Sequence, residues 1–176
     1  MKERRHRSSQ FGAPWGRRVK FTTLFVVLLI VGLAVVLPLT VPRRETWMTF
    51  VEAGAAALGL GVIALFCVRG YTIRHSEVWI QRSFWQTRLP LKELKRAYAD
   101  AEAMKGTTRS AGNGGFMAYT GWFRSRKLGS YRAYVTDPAR CVVLEFAQRK
   151  VVISPDDPVA FVRALGFEPD TPRSAD

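Results

Sequence analysis

Histidine and cysteine are nearly missing from this chain, with two of each in 176 residues. A metal centre needs several clustered ligands, and His6 and His75 stand far apart in the sequence. Cys67 and Cys141 are too few for a disulfide framework. Both lie in apolar surroundings and read as small buried hydrophobes. The common catalytic motifs are missing too. No Gly-x-Ser-x-Gly elbow presents a nucleophilic serine. Lys105-Gly106-Thr107-Thr108 lacks the upstream glycine and the strand–helix setting of a phosphate loop. Gly112-Asn113-Gly114-Gly115 lacks dinucleotide-binding spacing. These absences lead to the expectation of no enzyme activity, no cofactor and no metal.

Acid is also scarce. Fourteen Asp and Glu face 27 Lys and Arg, a net charge of +13. A basic balance points to nucleic acid, to an anionic membrane surface, or to membrane topology alone. Its distribution favours topology. Residues 1–20 hold seven bases against Glu3, whereas the stretch between the two apolar runs holds only Arg43 and Arg44 with Glu45. Bases near a span stay in the cytoplasm, so both termini are expected there, with Arg69 and Arg74 following the second run on the same side.

The long apolar runs are what the chain has in plenty. Residues 21–39 carry no charge, and residues 47–68 carry one, Glu52. A hydrocarbon core of about 30 Å needs about 20 apolar residues in a helix, and both runs meet that length. The first is longer than a signal-peptide core and lacks an Ala-x-Ala site after it, so a retained anchor is expected. The reading is a transmembrane hairpin in an inner membrane. Trp15 and Trp47, each before a run, suit the bilayer interface. Ala53, Ala57 and Gly61 form a small-residue stripe, expected to pack on Gly32 of the first helix. Glu52 is shallow and has no ionisable partner in the first run, which argues against an ion path.

After Arg69 the period changes to two. Strands are expected at 71–74, 78–82, 84–89 and 97–101, with a turn of helix at 91–96. The run at 105–115 has almost no apolar content and reads as a loop with an Asn113-Gly114 turn. Further strands are expected at 117–123, 131–136, 141–147 and 150–153. Asp157-Pro158 reads as an N-cap with proline in the first turn. Val159, Phe161, Val162 and Leu165 give a one-sided helix that stops at Gly166. The organisation is thus a basic cytoplasmic tail at 1–20, a hairpin at 21–68 (spans 21–39 and 47–68), a mainly β domain at 69–167 and a loose tail at 168–176.

The pieces of the domain come in a telling order. Tyr71-Thr72-Ile73 opens it, and Leu89-Pro90-Leu91-Lys92-Glu93-Leu94 follows. Then come Gly114-Gly115-Phe116, Gly121-Trp122-Phe123, Leu128-Gly129 and Tyr134-Val135-Thr136. Val152-Ile153-Ser154-Pro155-Asp156-Asp157-Pro158, with Phe161, closes it. This order resembles the bacterial pleckstrin-homology-like domains found behind membrane helices. The resemblance covers about 95 of the 176 residues. It implies a seven-stranded antiparallel barrel or sandwich with a C-terminal helix, and a binding or scaffolding role. It carries no catalytic residues over. Phosphoinositide-binding relatives cradle phosphates with a basic loop between their first two strands. The corresponding His75-Ser76-Glu77 is short and not basic, so phosphoinositide recognition by that route is not expected.

Arg124, Arg126, Lys127 and Arg132, with Arg109 in the preceding loop, are the candidate anion- or partner-binding residues. A solvated hairpin end is the simpler account of them, and an anion-facing patch the functional one. Trp122 and Phe123 suit a core strand better than a stacking platform for nucleic acid. The expected role is a membrane-anchored, non-catalytic binding or scaffolding protein that presents its domain to anionic lipid headgroups or to a protein partner. The alternative is a structural subunit of a membrane complex, acting through its hairpin.

Overall fold

The computed structural model describes residues 9–40, 46–65 and 67–168. The interhelical residues 41–45, most of the expected C-terminal tail and the first eight residues lie outside that set. Strand β1, Ser9–Gly12, precedes helix α1, Arg17–Thr40, and helix α2, Thr46–Leu65. Strands β2 (Val68–Arg74), β3 (Glu77–Arg82) and β4 (Gln86–Pro90) follow. Next come β5 (Leu94–Ala99), β6 (Thr108–Gly114), β7 (Tyr119–Ser125) and β8 (Gly129–Val135). A 3-10 turn at Pro138–Arg140 leads to β9 (Val142–Phe146), β10 (Lys150–Ile153) and helix α3 (Pro158–Ala164).

The strands form two sheets, β1-β2-β3-β4 and β5-β9-β10-β8-β7-β6. All neighbours are antiparallel except β8 and β10, which run parallel. One apolar core joins both sheets and α3, with Tyr71, Ile80, Leu144, Ile153 and Phe161 at its centre. A second core, around Phe123, Tyr131, Val143 and Val152, fills the opposite face of the larger sheet. Alternation on β9 therefore sends Val142 and Leu144 to one core and Val143 to the other. Tyr71 ties the layers together. Its hydroxyl donates to the Tyr134 carbonyl at 2.6 Å and accepts from the Ser154 amide at 3.1 Å. Burial pushes that hydroxyl's pKa well above the ordinary tyrosine value.

Several expectations need correction. The basic tail at 1–20 is more than a tail, though its polar, aperiodic sequence suggests no regular structure: Ser9–Gly12 pairs with β2, Gly12 lying opposite Gly70. Backbone pairing needs no apolar pattern, so the composition of the tail hid it. The expected loop at 105–115 contains β6, paired with β7 along its length. The expected helical turn at 91–96 is instead the approach to and start of β5. The described residues form ten strands, where eight were read from the sequence and the resemblance implied seven; the two added to the eight, β1 and β6, draw their stability from pairing and not from burial. Val159 is exposed, so the buried face of α3 is Phe161 and Val162 with Leu165 beside them. The capping expectation holds: the Asp157 carboxylate accepts from the Ala160 amide at 2.9 Å, and Gly166 takes a positive φ of 86°.

The helical pair also differs. Over Arg17–Val36, α1 is long and apolar enough to cross a bilayer, whereas the apolar stretch of α2, Phe50–Val62, is shorter. The second run breaks because α2 ends at Leu65 and Val68 already opens β2. Among the described residues there is one candidate span of full length, where two were expected. Ala53, Ala57 and Gly61 are exposed, and a Cβ added at Gly61 or Gly32 meets nothing within 4 Å. The helices touch, and the stripe itself stays exposed. Among the described side chains of α2, those partly buried are Ala56, Leu60, Ala64 and Leu65.

Candidate functional site

The first turns of α1 are part of the domain. Val19 and Thr23 are buried, four residues apart on one helix face. The Met117 amide, in the β6–β7 turn, donates to Thr23 Oγ1 at 2.9 Å. The Gly16 amide donates to the Thr136 carbonyl at 2.9 Å. A side chain at Gly16 would meet Asp137 Oδ1 at 2.5 Å, so only glycine lets the chain pass there. At the end of α2, the Ser83 hydroxyl donates to the Ala64 carbonyl at 3.2 Å. One end of the domain thus meets both helices, through the β3–β4 and β6–β7 turns.

That end is aromatic and basic. Phe84 is 78% exposed in the β3–β4 turn, and Trp122 is 47% exposed on β7. Between β3, the adjoining face of β6–β8 and α1 runs a cleft of about 620 Å³. Arg82, Arg109 and Arg132 line it, with Tyr134, Phe116 and Val26 of α1. None of the described residues lining it is acidic. The guanidinium carbons of Arg82 and Arg132 lie 5.2 and 5.3 Å from the centre of the Tyr134 ring. Stacking on an aromatic face holds a guanidinium by its plane. Arg82 also lies over Trp85, at 5.5 Å, and Arg132 over Trp122, at 5.8 Å. Arg82 Nε is buried with no hydrogen-bond partner among the described residues. Burial pulls the Arg82 pKa below its ordinary value, and the charge of Arg132 pulls the same way against the opposing effect of Tyr134.

The four bases singled out from the sequence do not form one patch. Arg124 and Arg132 share a sheet face, because Arg132 is opposite Trp122 and Arg124 is two residues beyond it. Arg126 is exposed in the β7–β8 turn. Lys127 is committed elsewhere: its Nζ lies 2.7 Å from Oδ2 of Asp100, whose side chain is only 2% exposed. The other Asp100 oxygen accepts from the Glu102 amide at 2.9 Å, so this pair closes a loop. Trp122 was expected in a core strand with Phe123, but alternation buries Phe123 and leaves Trp122 beside Arg132. Sequence reasoning missed Arg82 altogether. Its one local signal is the nearby Trp85, and nothing local joins it to Arg132, fifty residues on.

The short β2–β3 connection is a two-residue turn, with Arg74 paired to Glu77 and positive φ at His75 (46°) and Ser76 (62°). Such a tight turn leaves no loop to wrap a phosphate. Among the described residues no group of three or more His, Cys, Asp or Glu is placed to hold a metal.

A family model described as "Bacterial PH domain" matches residues 69–167. No curated protein and no solved structure matches the chain.

Proposed function

This chain belongs to the bacterial PH domain family, and from that premise we propose that it is a membrane-anchored, non-catalytic binding or scaffolding module of the inner membrane. In this reading its two sheets and α3 form a PH-type sandwich. The observation that carries the reading is the pairing of β1 with β2 across the helical pair. The chain enters α1 five residues after Gly12 and leaves α2 three residues before Val68. If α1 crosses the bilayer, α2 has to bring the chain back, since Gly12 and Gly70 lie side by side. A shorter apolar stretch in α2 is then completed by the aromatic and small residues at its ends. The same pairing favours a retained anchor, because cleavage after α1 would strip an edge strand from the sheet.

Seven bases before α1 against two between the helices support a reading with both ends of the chain in the cytoplasm. Tethering raises the local concentration of the domain at the bilayer, so weak contacts suffice there. The partner is an anionic lipid surface or a protein. A second reading, a subunit that assembles through its helices, draws on the outward stripe Ala53, Ala57 and Gly61. Replacing the hairpin with an unrelated one separates the two: a binding module keeps its interactions and a helix-dependent subunit loses them.

The topology is tested with small tags at each end of the full chain, probed by protease in sealed inner-membrane vesicles of known orientation. Both tags should be reached from the cytoplasmic face only. Tags on opposite faces would show that α2 does not return and would sink the hairpin.

A further inference from the structure

The Arg82–Arg132 cleft has a position that its composition alone does not reveal. A hydrocarbon layer of about 30 Å takes about 20 helical residues. Counted back from Thr40, the end of α1, that length reaches Phe21. Val26, which lines the cleft, therefore falls inside the near edge of the layer. Phe21 and Phe25, around it on α1, are 68% and 66% exposed, as residues in contact with lipid would be. The cleft thus reaches from the headgroup level, near Phe21, to about 8 Å along the helix at Val26, where acyl chains begin to line it. Its charge has one sign. Arg82, Arg109 and Arg132 form no ion pair among the described residues, and an acidic lining residue is missing from that set. Two of these guanidiniums lie 5.2 and 5.3 Å from the centre of one tyrosine ring, a contact that uses up none of their N–H donors in hydrogen bonds. One such donor, Arg82 Nε, is already buried without an acceptor. Leaving a buried cationic donor unsatisfied is unfavourable, and a phosphate offers the acceptor geometry that a guanidinium matches best.

We propose that this cleft holds the phosphate-bearing headgroup of one anionic phospholipid, with its acyl chains running down the exposed apolar face of α1. The proposal rests on the membrane-anchored reading above. Arg82 and Arg132 bind the phosphate, Arg109 adds charge at the rim, and Phe116 and Val26 meet the glycerol and upper chain. Asn113 is not a ligand, since both ends of its amide already bond to Phe116 in the β6–β7 turn. The site differs from the strand-connecting loop expected of lipid-binding relatives, because here that connection is a two-residue turn. A lipid fits better than a peptide because Val26 of α1 borders the cleft, which makes it reachable by lateral diffusion along the exposed face of that helix.

The test uses the full chain in nanodiscs of phosphatidylcholine mixed with phosphatidylglycerol, ejected into a native mass spectrometer. Wild type should retain one phosphatidylglycerol in preference to phosphatidylcholine. Arg132→Gln, an exposed change that leaves the fold intact, should lower that retention about tenfold, the size of one charge-assisted contact. Arg82→Gln with Arg132→Gln should abolish it, while Arg124→Gln with Arg126→Gln should leave it unchanged. No lipid preference in wild type, or equal retention in the Arg132 and Arg124/Arg126 variants, overturns the proposal. Displacement of the lipid by inorganic phosphate at equal concentration would also overturn it, in favour of a soluble anion. Alkaline extraction of the same membranes tests the premise separately. A protein that stays in the membrane but ignores phosphatidylglycerol sinks the lipid site alone, and one that is extracted sinks the anchor as well.

Discussion

The helical pair and the β domain are built from the same apolar residue types and use them in opposite ways. In the domain, Val142, Val143 and Leu144 follow one another and all are fully buried, since the larger sheet has a core on each face. In α1, Phe25, Leu28 and Leu29 are all more than half exposed. Burying a large apolar side chain is worth about 1.5–3 kcal/mol. The domain collects that energy from its own packing, but the helices can collect it only from a surrounding apolar phase. The boundary lies within α1, where Val19 and Thr23 are buried against the domain and Phe21 faces away. A helix sewn into the domain in this way is held in a fixed direction relative to the sheet, which a flexible linker would not do.

The largest expected effect breaks the domain side of this contrast. Phe161 is fully buried, with the Phe11 ring centre 4.9 Å away and that of Tyr71 6.2 Å away, both edge-on. Phe161→Ala should cost about 3–5 kcal/mol. For a domain of this size that lowers Tm by more than about 12 °C, measured by circular dichroism of the full chain in detergent. An unchanged curve would make α3 peripheral to the core.

An intermediate effect comes from the Asp100–Lys127 pair. Lys127→Met leaves a buried carboxylate with only its backbone partner. Removing one member of a fully buried pair costs roughly 3–5 kcal/mol. Lys127 is half exposed and water can take its place, so roughly 1–2 kcal/mol is expected here. The same unfolding measurement reads it. A loss of Tm with lipid retention unchanged would confirm that this base is structural, in contrast to Arg132.

The smallest effect is on the helical side. Phe25→Ala removes the same atoms as Phe161→Ala, but at an exposed position. In detergent it should shift stability by no more than about 0.5 kcal/mol. A drop comparable to that of Phe161→Ala would mean that α1 packs into the domain well beyond Thr23, and the contrast between the two regions would fail.

The elements that could be read in advance are those whose cause is local. Asp157 and Pro158 start α3 within four residues, and alternation at Val142, Leu144 and Phe146 marks β9 with no knowledge of its partners. The two apolar runs announce helices by composition alone. What could not be read depends on distant partners. The polar strands β1 and β6 exist because β2 and β7 supply backbone hydrogen bonds, and a polar stretch carries no sign of that. The candidate bases were chosen for closeness in sequence. The fold separated Lys127 from them and brought in Arg82.

By itself, then, the amino-acid order determined an apolar anchor, a strand-rich domain, a capped closing helix and an excess of positive charge. Each follows from residue type and spacing over a few neighbours. Only the tertiary structure decided that the anchor is stitched into the sheet through β1, that the small-residue stripe of α2 faces outward, and that three arginines from three strands meet beside α1. Those outcomes depend on chain segments from about 60 to about 100 residues apart competing for the same partners, and no local pattern records which of them wins.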